Sequence, residues 1–241
     1  DALTGPVSGR PKSATFRTAD VVGIDTLVKV AQGVKENCKS DEASAIFNIP
    51  EWLQKMVDNR WLGDKTGQGF FKKIKGAEGK SEILTLNLTT FEYAPRVKPK
   101  FATIDVAKPV DDLKTRLKML TAGKDKAAEF YRLFHYSLFS YVSFRIPEIS
   151  DELYRLDDAM RAGFGWELGP FETWDVMGVK ETAAQMKAAG VAYAGWVDEF
   201  ISAGNNSFYK VENGKRQCYD PATRAYKPLP GGDAFIILSD L

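Results

Sequence analysis

Glu172 and Asp175 stand three residues apart, so a helix places both carboxylates on one face. Paired carboxylates can serve acid–base chemistry. The segment that carries them has an earlier echo in which Arg17 takes the place of Glu172, and this favours a structural role, capping or bridging a helix end. His135, the single histidine, is the side chain best placed to act as a base near neutral pH. It lies among aromatics in mid-helix with no carboxylate in its helical row, and so reads as structural. One histidine and the absence of any Cys-x-x-Cys rule out most zinc sites and any triad with more than one candidate histidine, so no metal is expected. Cys38 and Cys218 read as free thiols. Arg10 and Lys12, beside glycine and proline, suit a bound phosphate, against the competing reading of a solvated basic loop. Gly76-Ala77-Glu78-Gly79-Lys80-Ser81 matches the end of a phosphate-loop pattern, but Ile74 stands where that pattern needs glycine. It joins two strands, so a hairpin turn is the better reading. No Gly-x-Gly-x-x-Gly occurs, so the backbone cradle for a dinucleotide is missing. No catalytic or cofactor-binding residue is expected in this chain.

The elements that position these residues follow from an internal echo. Phe16-Arg17-Thr18-Ala19-Asp20-Val21-Val22-Gly23 aligns without a gap with Phe171-Glu172-Thr173-Trp174-Asp175-Val176-Met177-Gly178. Such a self-match signals an internal duplication. Asp1-Ala2-Leu3 echoes Asp158-Ala159-Met160, which implies a short insertion near Val7–Arg10 in the first copy. Residues 13–22 read as a short helix that Gly23 stops at positive φ, followed by a helix from Ile24. Pro50 fits a first helical position. Residues 70–74 and 82–88 read as strands. The second half opens with a helix from Val110 to Gly123, followed by an aromatic helix over 125–145, apolar nearly all round and therefore buried or in an interface. Ser150 is the expected cap of the next helix. After the second signature, helices end at Gly190 and Gly204, and Asn213-Gly214 marks a hairpin. Residues 234–238 read as a strand belonging to a further domain.

The same residues carry a family resemblance. Gly169-Pro170-Phe171-Glu172-x-x-Asp175-x-x-Gly178 resembles the signature of the C-terminal domain of L-3-hydroxyacyl-CoA dehydrogenases, and Trp61–Phe71 resembles a second element of that family. Gly9-Arg10-Pro11-Lys12-Ser13 is similar to the multidomain bacterial branch that joins this dehydrogenase to an enoyl-CoA hydratase. The resemblance implies a mainly α fold: two repeated helical domains of the 6-phosphogluconate dehydrogenase C-terminal type, each with a small β-hairpin. It implies the substrate-side and association region of an NAD-dependent enzyme of fatty-acid β-oxidation, with Arg10 and Lys12 as contacts for a CoA phosphate. The family's catalytic His and Glu, and its NAD, belong to an N-terminal domain that would precede Asp1, so this stretch alone is expected to bind no cofactor.

Composition agrees with a soluble protein: 44% hydrophobic, 27% charged, net charge +1, with no pull toward nucleic acid or anionic membrane. No apolar run reaches the length of a membrane span and no secretory signal is visible, so a cytoplasmic setting is expected. The expected organisation is a first repeat over 1–92, a linker over 93–109, a second repeat over 110–218 and a tail over 219–241. The expected partners are an acyl-CoA substrate, the N-terminal NAD-binding domain and a C-terminal enoyl-CoA hydratase domain. The alternative is a non-catalytic helical interaction module.

Overall fold

The computed structural model describes residues 1–76 and 80–231. By internal contacts they form two units, one made of Asp1–Gly5 and Lys12–Pro99, the other of Pro6–Pro11 and the chain from Lys100 onward.

In the first unit, helix α1 (Phe16–Val22) is only seven residues long and is held at both ends from outside itself. Asp1 Oδ1 accepts from the Phe16 N–H at 2.8 Å, supplying the cap that Thr15 does not. Gly23, at φ 105°, donates its N–H back to Ala19 O and breaks the helix. The chain restarts at once as α2 (Ile24–Asn37), whose first-turn Asp25 suits the positive helix N-terminus and pairs with Lys65. Helix α3 (Glu51–Asp58) follows Pro50, which is the N-cap rather than the first helical residue. Ile24, Val28, Leu53, Met56, Phe70 and Leu86 form the core. A three-stranded antiparallel sheet closes the unit, with β1 (Phe71–Lys75), β2 (Ser81–Leu86) and β3 (Tyr93–Pro95) in that order.

The second unit is a helical layer with its own sheet. Its helices are α4 (Ala102–Ala107), α5 (Leu113–Ala122), α6 (Lys126–Phe144), α7 (Leu153–Phe164), α8 (Pro170–Met177), α9 (Val179–Ala188) and α10 (Gly195–Ser202). Asp112 caps α5 through the Thr115 N–H at 2.7 Å, and Asp125 caps α6 through the Ala128 N–H at 3.0 Å. The aromatic helix α6 is core. Its Phe139 lies parallel on Trp174 of α8, rings 4.8 Å apart, and Tyr131, Tyr136 and Val142 are buried beside it. Phe171, Phe200 and Phe208 fill the space around that stack. The sheet is β4 (Tyr209–Glu212), β5 (Lys215–Asp220) and β6 (Ala225–Pro228). Asn213 and Gly214 turn its first hairpin at φ 53° and 71°.

Three further expectations change. Each hairpin gains a third strand, β3 or β6, so the small sheets are three-stranded rather than two-stranded. Both added strands are short edge strands that end at proline, too brief for alternation to show. Ser150 does not cap α7: its Oγ accepts from the Glu152 N–H at 3.1 Å, a local turn one step before the helix. The stretch read as a linker, 93–109, holds β3 and α4. The expected strand at 234–238 and residues 77–79 of the Gly76–Ser81 loop lie outside the described residues.

Candidate functional site

The shared aspartates are clamps between a short helix and a sheet. Asp20, 1% exposed, accepts from the Phe70 and Phe71 N–H groups at 2.8 and 2.9 Å. Asp175 accepts from the Phe208 and Tyr209 N–H groups at 2.7 and 2.9 Å. Burial raises the pKa of both, Asp175 to about 6, with the backbone donors pulling the other way. Glycine in the 62–69 loop serves this clamp. A Cβ on Gly63 would come within 2.2 Å of the Asp20 carbonyl oxygen, and one on Gly69 within 2.1 Å of Asp20 Oδ1.

A second carboxylate organises the start of α8. Asp157, fully buried, accepts from the Phe171 and Glu172 N–H groups at 2.8 and 3.1 Å and from the Tyr209 hydroxyl at 2.6 Å. Burial pushes its pKa up to about 7 against those donors. Asp157 and Asp1 make the same kind of contact, each accepting from the N–H of the phenylalanine at the start of its short helix. The sequence comparison had set Asp158 in that place. Asp158 instead pairs with Arg161. Glu172 accepts from the Gly169 N–H at 2.8 Å, reaching back from the third helical position to the N-cap, and also pairs with Arg161. Glu172 and Asp175 thus hold backbone and a guanidinium rather than standing ready for proton transfer.

His135 is 2% exposed, and its Nδ1 lies 2.7 Å from the Tyr131 carbonyl. A carbonyl only accepts, so Nδ1 carries the proton. Burial, then the charge of Arg10, lowers its pKa to about 4, and it is neutral at pH 7. Cys38 is exposed and Cys218 buried, both as free thiols.

The two residues expected to meet a phosphate are placed differently. The Arg10 guanidinium lies 4.2 Å from the Phe134 ring and 4.2 Å from the Trp166 ring. Burial lowers its pKa to about 10. Its segment is laid down on the second unit by the Glu167 N–H donating to Gly9 O at 2.9 Å and by Arg116 donating to Val7 O at 2.7 Å. Lys12 is exposed and groups with the first unit.

The residues of the second unit also enclose a cleft of about 760 Å³. Lys114 and Lys118 of α5 form one wall, Arg161 and Asp175 another, and Tyr209 and Leu229 come from the sheet side. The sequence reading missed it, because its lining is scattered from residue 114 to residue 230. The one available signal was Lys114 and Lys118 at helical spacing.

Among the described residues there is no group of three His, Cys, Asp or Glu side chains that could hold a metal ion, and no helix is long and apolar enough to cross a membrane. The close approach at Gly63 and Gly69 is taken by Asp20, and the N-termini of α1 and α8 are met by Asp1 and Asp157.

Comparison with known proteins places this geometry. Residues 4–73 match the family described as 3-hydroxyacyl-CoA dehydrogenase, C-terminal domain. The chain is 41% identical over 220 residues to a probable 3-hydroxyacyl-CoA dehydrogenase of Bacillus subtilis (strain 168), covering 91% of this chain and 27% of that protein. A probable 3-hydroxyacyl-CoA dehydrogenase of Deinococcus radiodurans is 42% identical over 85 residues, which is 35% of this chain and 24% of the relative. A putative fatty acid oxidation complex trifunctional enzyme of Rickettsia prowazekii is 24% identical over 173 residues, 71% of this chain and 22% of the relative. The chain spans about a quarter of the length of these relatives. Over most of its length it is therefore similar to part of a larger protein named as a 3-hydroxyacyl-CoA dehydrogenase, and residues 4–73 are the stretch that matches that family's C-terminal domain.

Proposed function

We propose that this chain is the substrate-side and association region of an NAD-dependent L-3-hydroxyacyl-CoA dehydrogenase of fatty-acid β-oxidation, with the nucleotide-binding domain preceding it. The observation that carries the reading is the 41% identity over 91% of the chain to a relative so named, of which it spans 27%. The oxidation context rests on the relative named as a fatty acid oxidation complex trifunctional enzyme. That name also supports fusion to further activities, of which an enoyl-CoA hydratase is the one we propose.

The halves are proposed to be duplicated copies. Asp20 and Asp175 clamp the same two backbone positions of their sheets, and Gly23 and Gly178 break the helix at φ 105° and 85°. Arg10 and Lys12 are proposed contacts for a CoA phosphate. A guanidinium held by its faces keeps its N–H edge for a phosphate, and no carboxylate pairs with Arg10 among the described residues.

Hydride transfer needs a bound nicotinamide, a base for the hydroxyl proton and donors for the developing oxyanion. His135 is buried and neutral with its Nδ1 proton committed to a carbonyl, and the buried carboxylates hold backbone. The role proposed for this stretch of chain is to close over the acyl-CoA and shape its cleft. The test is an NADH-absorbance assay with acetoacetyl-CoA, with NAD titrated calorimetrically. The 241-residue chain should show neither turnover nor NAD binding, while a longer protein carrying the preceding domain shows both. Turnover by the 241-residue chain alone would place the chemistry elsewhere.

A further inference from the structure

We infer that the exposed apolar face of α1 and α2 in the first unit is the docking surface for an amphipathic helix that precedes Asp1 in the longer protein, seated there as α6 is seated on α8 and α9. The inference rests on the duplication and the preceding domain proposed above.

The second unit supplies the pattern. Its α6 lies on the joint between α8 and α9. Phe139 is stacked on Trp174 with rings 4.8 Å apart, and the Tyr136 hydroxyl donates to Gln185 Oε1 at 2.8 Å. The register that pairs Asp20 with Asp175 puts Ala19 at the place of Trp174. It puts Val22, Leu27 and Val30 at the places of Met177, Thr182 and Gln185. Burial differs between the two sets. Met177 is half-buried and Thr182 buried, whereas Val22, Leu27 and Val30 are 53%, 39% and 59% exposed. Val22 stands three residues after Ala19 on α1, and Val30 three after Leu27 on α2, so each pair shares a helix face. Leu27 and Val30 flank the Ile24 and Val28 stripe that fills the core, which makes α2 apolar beyond what its own core uses. Among the described residues the first unit has no α-helix besides α1, α2 and α3, and α3 is committed to the core through Leu53 and Met56. Neighbouring exposed apolar side chains of this kind mark an interaction surface.

The register also locates the occupant. Carried back by the interval from Asp175 to Asp20, α6 falls wholly ahead of Asp1. The chain spans 27% of the Bacillus subtilis relative, which leaves ample length outside it. The surface states what the docked helix must carry. Val30 offers no acceptor where Gln185 takes the Tyr136 hydroxyl, so the side chain facing it is apolar rather than tyrosine. Ala19 stands where Trp174 fills the joint, so the side chain above it is bulky. The occupant is thus a helix with apolar residues three and four apart and one large side chain over Ala19.

The test compares the 241-residue chain with the longer protein that carries the preceding stretch. In a Cys38→Ser background, which removes the exposed thiol and keeps Cys218 buried, Val30→Cys is labelled with a maleimide. Labelling should be about tenfold slower, or more, in the longer protein, since it then waits on opening of the docked face. Val30→Lys should lower the melting temperature of the longer protein and leave that of the 241-residue chain unchanged. The photocrosslinker p-benzoylphenylalanine at position 30 should join to the stretch before Asp1, at apolar residues three or four apart, as mass spectrometry reads. Equal labelling in a longer protein that is active in the NADH assay overturns the docking and leaves the dehydrogenase reading standing. Protection in an inactive one supports the docking and counts against that reading. Protection already present in the 241-residue chain, growing with its concentration, makes a second copy the occupant and overturns the helix. A crosslink outside the preceding stretch overturns it too.

Discussion

The carboxylates are the residues on which this structure turns, and their work is mechanical. Asp20 bridges the end of α1 to two consecutive N–H groups at the start of β1. Asp20→Ala would strand both donors, one of them in the core, and should cost about 3 kcal/mol, since hydrogen bonds to a charged group are worth about 1.5–3 kcal/mol each. Asp20→Asn keeps one acceptor and should lose less. Urea denaturation measures both, and an alanine variant within about 0.5 kcal/mol of the parent would show that other groups satisfy those amides. Asp157 makes a pH prediction. Its folded pKa, raised by burial to about 7, lies above the ordinary value of 3.8, so the fold favours the protonated form. Stability from this group is full below pH 3.8 and is lost as pH rises through 7, and Asp175, raised to about 6, acts in the same direction. The melting temperature should therefore fall between pH 4 and pH 7.5, and Asp157→Asn should flatten the upper part of that fall. A melting temperature that climbs across this window would mean that the backbone donors outweigh burial. The sequence pointed to Asp20 and Asp175 through the echo, but it passed over Asp157 for its neighbour. The interval from cap to phenylalanine is one residue longer from Asp1 to Phe16 than from Asp157 to Phe171, so the echoing Asp-Ala pairs fall out of step with the caps.

At the scale of elements, glycine sets the joints. Gly23 and Gly178 were legible because each falls between two apolar-periodic stretches, and both sit at positive φ. Alanine at either should cost about 1 kcal/mol from backbone strain. Gly169 is a different case. Its φ of −75° suits any residue, but a Cβ there would meet Asp157 Cα at 2.4 Å, and backbone cannot swing aside as a side chain can. Gly169→Ala should therefore destabilise more than Gly178→Ala, whose Cβ meets only the movable Glu181 carboxylate. Thermal unfolding of the two variants decides this, and equal losses would mean that α7 and α8 separate easily. Nothing local distinguishes Gly169, because its constraint comes from a residue twelve positions earlier on another helix. The same reason hid β3 and β6, whose strand character comes from the edge they join rather than from their own pattern.

For the whole molecule, the helical class, the aromatic core helix and both hairpins could be read from periodicity and turn residues. The cleft was not legible, since no sequence rule joins Lys118 to Leu229. Nor was the path of the chain near its start. Residues 1–5 and 12–99 make the first unit, yet 6–11 lie with the second. The second unit is thus assembled from two separate stretches of chain. Residues 100–231 made alone would lack the carbonyls of Pro6 and Val7 that Arg116 grips and the guanidinium between Phe134 and Trp166. That piece should melt below the intact chain and regain part of the difference when a peptide of residues 1–12 is added in excess. No rescue would show the six-residue stretch to be ornament. A protease that nicked the chain once near residue 40 would leave the second unit complete but held partly by non-covalent grip. A gene truncated at the same point would not. For this protein, cutting and deleting are different experiments.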